Sequence, residues 1–179
     1  MFPTSVAGSL PKPGWLAETN KLWPQWRLEG EPLRQAKADA TLLWIKLQED
    51  AGLAIVTDNI DWKQGLGQEW RQYEQIFPAL AASSIGQVSL ECFHSHVPPQ
   101  LMKLLEGKDV LVGVIDVASD EVETPEQVAE TIGTALQFVP KHRLFPCTNC
   151  GLAPMDREVA VRKLEALARG AELARRRFG

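Results

Sequence analysis

The sequence predicts an α/β fold built on a parallel sheet, and three observations carry that expectation. Short β-branched runs alternate with longer amphipathic stretches, the pattern of repeated strand–helix units. The most apolar run, Val110 to Val117, is hydrophobic at odd and even positions alike. A strand reads that way when helices cover both faces of its sheet. The 179 residues are 45% hydrophobic and 23% charged, which supports one packed core of ordinary soluble composition.

Each element then has its own reason. Val6 to Ser9 reads as a short first strand interrupted by Gly8. Trp15, Trp23 and Trp26 stand in a Pro-rich stretch that fits a packed, irregular lid or the cover of a barrel end. Leu33 to Asp50 carries Leu33, Ala36, Ala40, Leu43 and Leu47 at helical spacing and stops before Gly52. Ala54 to Thr57 and Gln87 to Glu91 are short strand-like runs, and Arg143 to Cys147 fits a last strand. Glu69 to Leu80 and Pro98 to Leu105 read as helices. Thr124-Pro125-Glu126-Gln127 opens another, with Thr124 as cap, Pro125 at the first helical position and Gln127 completing a capping box. That helix is expected to reach about Phe138, before Pro140. A final helix starts near Asp156 and aligns Val159, Leu164, Leu167, Ala171 and Ala174 on one face.

This amounts to about five strand–helix units. A complete (β/α)₈ barrel takes about 250 residues and rarely fewer than about 200. The expectation is therefore an incomplete TIM-type barrel in a single domain over 1–179. A small open α/β sheet fits the length equally well on pattern alone.

Charge and composition narrow the partners. Lys and Arg number 19 against 23 Asp and Glu, a net charge of -4, so no basic excess exists to displace counterions from nucleic acid. Arg175, Arg176 and Arg177 read as a solvated helix end. No apolar run approaches the roughly 20 residues that span a bilayer, and no basic-then-apolar leader opens the sequence. Three cysteines, an odd number, read as reduced thiols, metal ligands or buried residues rather than a disulfide framework. The expected compartment is the cytoplasm.

Four features could carry chemistry. Cys147-Thr148-Asn149-Cys150 is a C-x-x-C directly after a strand, suited to a zinc knuckle, a redox pair or a purely structural role. Glu91-Cys92-Phe93-His94-Ser95-His96 follows another strand. In parallel α/β folds ligands sit beyond the carboxyl ends of the strands, so Glu91 and Cys150 can share a site. Strand alternation places Cys92 on the opposite face from Glu91, under a helix. His94 and His96 read as ligands or as ordinary loop residues. Asp116, at the end of the strongest strand, either binds a polar substrate group or caps its own loop. Ala7-Gly8-Ser9 is a small-residue turn whose backbone amides could hold a carboxylate.

Together these residues resemble a known family. Thr4-Ser5-Val6-Ala7-Gly8-Ser9-Leu10-Pro11, Val88-Ser89-Leu90-Glu91, Val112-Gly113-Val114-Ile115-Asp116 and Cys147-Thr148-Asn149-Cys150-Gly151-Leu152 are similar, in order, to segments of the catalytic barrel of cobalamin-independent methionine synthase. Asn149-Cys150-Gly151-Leu152, which resembles the family's N-P-D-C-G-L, is the most specific piece. The resemblance implies a TIM barrel that moves a methyl group from a methylfolate to homocysteine. It also implies a zinc ion held by His, Cys, Glu and Cys, which binds homocysteine as a thiolate. By motif, Glu91 and Cys150 match two zinc ligands, and Gly8 and Ser9 match the turn that holds homocysteine.

The chain also departs from the family. It contains no H-x-C for the other two ligands, Val56-Thr57-Asp58 continues with Asn59-Ile60 instead of Gly-Glu, and the family's D-E-P segment is absent. Loss of the third, fourth and fifth strands, with a join near 58–61, produces all three departures and the short length. The family's proton-donating His falls at Ala118, which points to a branch with altered chemistry or donor; some relatives with only this barrel take the methyl from a corrinoid protein. The zinc reading needs replacement ligands from Cys147, His94, His96 or a second chain, and a homo-oligomer that closes the sheet could supply them. Two further readings stand beside it: an inactive remnant or binding module, and a thiol–disulfide protein using Cys147 and Cys150.

Overall fold

The computed structural model describes residues 1–8, 10–19, 21, 25–53, 77–78, 81–82, 84, 86–92 and 98–179. The expected strand at 54–57, most of the expected helix at 69–80, the join near 58–61, Trp23, Ser9, His94 and His96 lie outside these residues.

The α/β parallel architecture is present. Strands β1 (Gln87–Leu90), β2 (Asp109–Ile115) and β3 (Leu144–Thr148) form a parallel sheet in the order β1-β2-β3. Helix α1 (Gly30–Asp50) precedes them, α2 (Pro125–Ala135) links β2 to β3, and α3 (Arg157–Phe178) follows β3. A 3₁₀ helix (Pro99–Leu105) leads into β2, at the helix expected over Pro98 to Leu105. Beyond β3, Ser5 makes a parallel bridge to Cys147, its amide donating to Pro146 O at 3.2 Å. The earliest segment of the chain thus lies beside the last strand, the pairing that closes a barrel's ring. The expected first strand is shifted toward the N-terminus, because Gly8, at φ +84°, turns the chain away.

Alternation sorts the sheet's two faces. Val88, Leu90, Val110, Val112, Val114 and Leu144 are buried in the core against the helices. Burying such a side chain contributes roughly 1.5–3 kcal/mol, so this layer is a substantial part of the core. On the other face Gln87 and Ser89 are exposed and Leu111 and Phe145 half-buried.

Local chemistry sets the element ends. Thr124 Oγ1 accepts from Gln127 N, and Gln127 Oε1 accepts from Thr124 N at 2.8 Å, the expected capping box. Helix α2 stops at Ala135, earlier than expected, because its last turn tightens: Gln137 N donates to Thr134 O and Phe138 N to Ala135 O. Asp156 caps α3 through Glu158 N and Val159 N. Helix α1 begins at Gly30, three residues before the expected Leu33, since Pro32 in the first turn lacks only an amide that has no helical acceptor there. Its Trp44 is buried and donates to Pro11 O at 2.7 Å, anchoring the N-terminal loop. Ala17 bridges Trp26 antiparallel within the expected lid, while Trp15 is 50% exposed. Arg175 is not a merely solvated helix end. Its Nε donates to Met1 O at 2.6 Å and its Nη2 to Phe2 O at 2.9 Å, pinning the N-terminal segment to α3.

A buried ion pair fixes the loop after β2. Lys163 Nζ, fully buried, donates to Glu123 Oε1 at 3.2 Å and Oε2 at 3.1 Å, and also to Glu121 O. Glu123 Oε1 in turn accepts from Asp116 N at 2.7 Å. That bond takes Asp116 out of the ladder, so β2 ends at Ile115 and not at the expected Val117. Removing one partner of such a pair strands a buried charge at a cost of about 3–5 kcal/mol, far above the 0–1 kcal/mol of a surface pair. Lys163→Met is therefore expected to lower the urea midpoint by an amount matching about 3–5 kcal/mol, and Arg176→Met, which loses an exposed pair with Glu172, by less than about 1 kcal/mol. Equal losses in the two variants would show that the buried pair does not hold the fold.

Candidate functional site

The carboxyl ends of three parallel segments bring Glu91, Cys150 and Gly8 to one edge of the sheet. Glu91 follows β1, Cys150 lies two residues past β3, and Gly8 ends the segment beside β3. Thr148, fully buried, ties the last two together: its Oγ1 accepts from Ala7 N at 2.8 Å and donates to Ala7 O at 3.4 Å. The turn at Gly8 then rests on the backbone after Cys150. A Cβ at Gly8 would stand 2.8 Å from Gly151 N, and the φ of +84° is one that L side chains rarely adopt. Gly8 is thus required twice, by its conformation and by this contact.

A second glycine makes room between β1 and β3. Gly113 is the Cα partner of Cys147, and any Cβ there would collide with the Asn149 side chain and stand 2.8 Å from Leu90 O. Asn149, buried, occupies that notch while its amide donates to Ile115 O at 2.9 Å. The segment carrying Cys150 is thereby held against the ends of both other strands.

Electrostatics place Glu91 near the thiols. Its charge raises the pKa of Cys92, Cys147 and Cys150, in each case as a smaller contribution than burial. Cys147 is fully buried and pushed up to about 12 by desolvation, against a bond to Ser89 that lowers it. Cys92 is pushed up to about 12 by burial, which outweighs a bond to the Gly113 backbone. As alternation requires, it packs on the helix side, lining a cavity of about 260 Å³ with Val112, Thr131 and Ala135. Cys150 is exposed; desolvation raises it and the Gly151 amide works the other way. A redox pair needs a stabilised thiolate, and burial works against the thiolate at both positions of the C-x-x-C.

Asp116 has turned to its own loop. Its Oδ1 accepts from Ala118 N at 2.8 Å, and it lines a notch of about 70 Å³ with Ser119, Glu121 and Gln127. That is room for about two waters. Among the described residues no group of three or more His, Cys, Asp or Glu is arranged to hold a metal ion. Glu91 and Cys150 nonetheless offer the oxygen and sulfur donors that zinc accepts, two of the four a tetrahedral site needs.

Residues that the sequence did not single out do much of the positioning. Thr148 and Asn149 lie inside the C-x-x-C that drew attention to its cysteines. Lys163 carries a detectable signal: a charge inside the apolar stripe of α3, one residue before Leu164. Glu123 carries none, being one acid among several in its loop.

Known proteins share this fold and parts of this sequence. Residues 27–173 match the family described as the cobalamin-independent synthase, catalytic domain. A methionine synthase of Thermococcus kodakarensis is 36% identical over 75 residues, 42% of this chain and 22% of that protein. A 2-hydroxypropyl-CoM lyase of Xanthobacter autotrophicus is 35% identical over 105 residues, 59% of this chain and 28% of that one. A solved B12-independent methionine synthase from Shewanella sp. W3-18-1, in complex with selenomethionine, superposes with a TM-score of 0.90 at 26% identity, covering 99% of this chain and 98% of that chain. The matches span only 22% to 32% of the length of the curated relatives.

Exposure and protonation together set the order of thiol reactivity. With a disulfide dye at pH 8, one thiol of the three is expected to react in the native chain, slowly, and all three in guanidinium. Cys150→Ser should leave no reactive native thiol. Rapid labelling of two thiols in the native chain would contradict the burial of Cys92 and Cys147.

Proposed function

We propose that this chain, which belongs to the family of cobalamin-independent synthase catalytic domains, is a zinc-dependent methyltransferase of the methionine synthase type. It takes a methyl group from a methylfolate or a corrinoid protein and places it on the sulfur of homocysteine. The observation that carries the reading is the convergence of Glu91 and Cys150 beside the contact between Gly8 and Gly151. The selenomethionine held by the Shewanella protein, a methylated amino acid with selenium for sulfur, supports the same product class for this chain.

Each residue has a defined task in this reading. Glu91 and Cys150 supply two zinc ligands. When bound, zinc ionises a coordinated thiol at neutral pH and so makes it a nucleophile. The backbone amides of the turn at Gly8 and Ser9 hold the amino acid's carboxylate. Asp116, at the carboxyl end of β2, supplies a negative charge suited to the amino acid's ammonium group. The remaining ligands come from His94 and His96, from Cys147, or from a second copy of the chain that closes the sheet. Cys147 would have to surrender both its burial and its bond to Ser89 to join. Residues 1–179 act as one barrel domain, and three reduced thiols fit a cytoplasmic setting.

One observation favours a second reading, a binding module without catalysis: no third metal donor joins Glu91 and Cys150 among the described residues. Zinc content separates the two. Protein taken from one size-exclusion peak without added metal is expected to carry about one zinc per chain. Cys150→Ser should lose both the zinc and methyl transfer to homocysteine. Full zinc in Cys150→Ser would remove that residue from the ligand set, and a folded wild-type chain without zinc would favour the binding module.

A further inference from the structure

The opposite end of the sheet holds a cavity of about 560 Å³, within the range of small-molecule sites. Its lining includes Lys103, Glu106, Lys108, Phe138, Val139 and Arg143. These residues come from the 3₁₀ helix, the turn before β2, the turn after α2 and the residue before β3. All lie at the amino ends of the strands. The seven residues of β2, at about 3.3 Å each, put roughly 20 Å between this cavity and the end that carries Asp116. The two are separate sites.

Three cations and one acid line this cavity in a chain of net charge -4. The guanidinium of Arg143 has a buried Nη1 with no hydrogen-bond partner among the described residues. A guanidinium carries five N–H donors and no acceptor. The Lys103 ammonium sits 5.5 Å from the Phe138 ring, a weak contact at an exposed position. Phe138 and Val139 give the cavity an apolar wall.

We infer that this cavity binds a small phosphate monoester, with the phosphate toward Arg143 and Lys103 and the organic group against Phe138 and Val139. A phosphate monoester carries nearly two negative charges at neutral pH, which suits two cations, and arginine engages phosphate through paired N–H donors. A bare phosphate would leave most of the volume unfilled. Nothing in the proposed methyl transfer requires the site, so it stands apart from that reading.

Calorimetric titration of the full chain with phenyl phosphate, inorganic phosphate and phenol at low salt tests the assignment. Phenyl phosphate is expected to bind about tenfold or more tightly than inorganic phosphate, and phenol not at all, with affinity falling as salt rises. Arg143→Gln should weaken phenyl phosphate by about tenfold or more, and Arg143→Lys by less. Lys103→Gln, at an exposed residue that folding does not need, should weaken it severalfold and keeps the test open if Arg143→Gln fails to fold. Cys150→Ser should bind as the wild type does. No binding of phenyl phosphate, equal binding of the two phosphates, or affinity unchanged by both Arg143→Gln and Lys103→Gln would overturn the proposal. So would loss of binding in Cys150→Ser, which would move the ligand to the other end of the sheet.

Discussion

The pairing of the first residues with the last strand is the contact on which the rest of the site depends. Ser5 binds Pro146, and Thr148 holds both the amide and the carbonyl of Ala7. Without those bonds Gly8 would have no reason to lie on Gly151, and the turn would lose its place beside Cys150. Backbone groups supply most of the contact, so the sequence can vary widely around it. The exceptions are a hydroxyl at 148 and the absence of a Cβ at 8, where steric demand leaves little choice.

A different logic governs the end of β2. There the loop is held by charge, with Glu123 joining Lys163 to the amide of Asp116. A buried pair of this kind adds little net stability over apolar residues of the same volume. What it does add here is placement, since the same carboxylate that neutralises Lys163 stops the ladder at Ile115 and sets where Asp116 stands. Fold and site are thus coupled through one carboxylate, which belongs to the core and determines the geometry of a loop.

Much of this was legible from the residues alone. The parallel sheet followed from the two-faced hydrophobicity of Val110 to Ile115, and the start of α2 from Thr124, Pro125 and Gln127, because these signals are local. The closeness of Glu91 to Cys150 followed from their shared position after strands. What stayed hidden was long-range. The tie from Arg175 to Met1 and Phe2 spans the whole chain, and a run of three arginines read more simply as a solvated end. The early stops of β2 and α2 came from a side chain seven residues away and from a tightened last turn, neither of which periodicity records. Cys147 illustrates the limit most sharply. Spacing made it a candidate ligand, while its burial and its bond to Ser89 depend on a neighbour two strands away.

The tie between chain ends also bears on the order in which the molecule is assembled. During synthesis residues 1–8 emerge well over a hundred residues before their partners, Pro146, Thr148 and Arg175. Contacts of such high sequence separation form late and slowly. The sheet from β1 to β3 with its helices can gather around local crossovers while the amino-terminal segment waits. Its docking is then the step that brings Gly8 to Gly151. The nascent chain would gather most of its hydrophobic core first, and the docking of Phe2 and Val6 into that core would arrive together with the turn meant to receive a substrate.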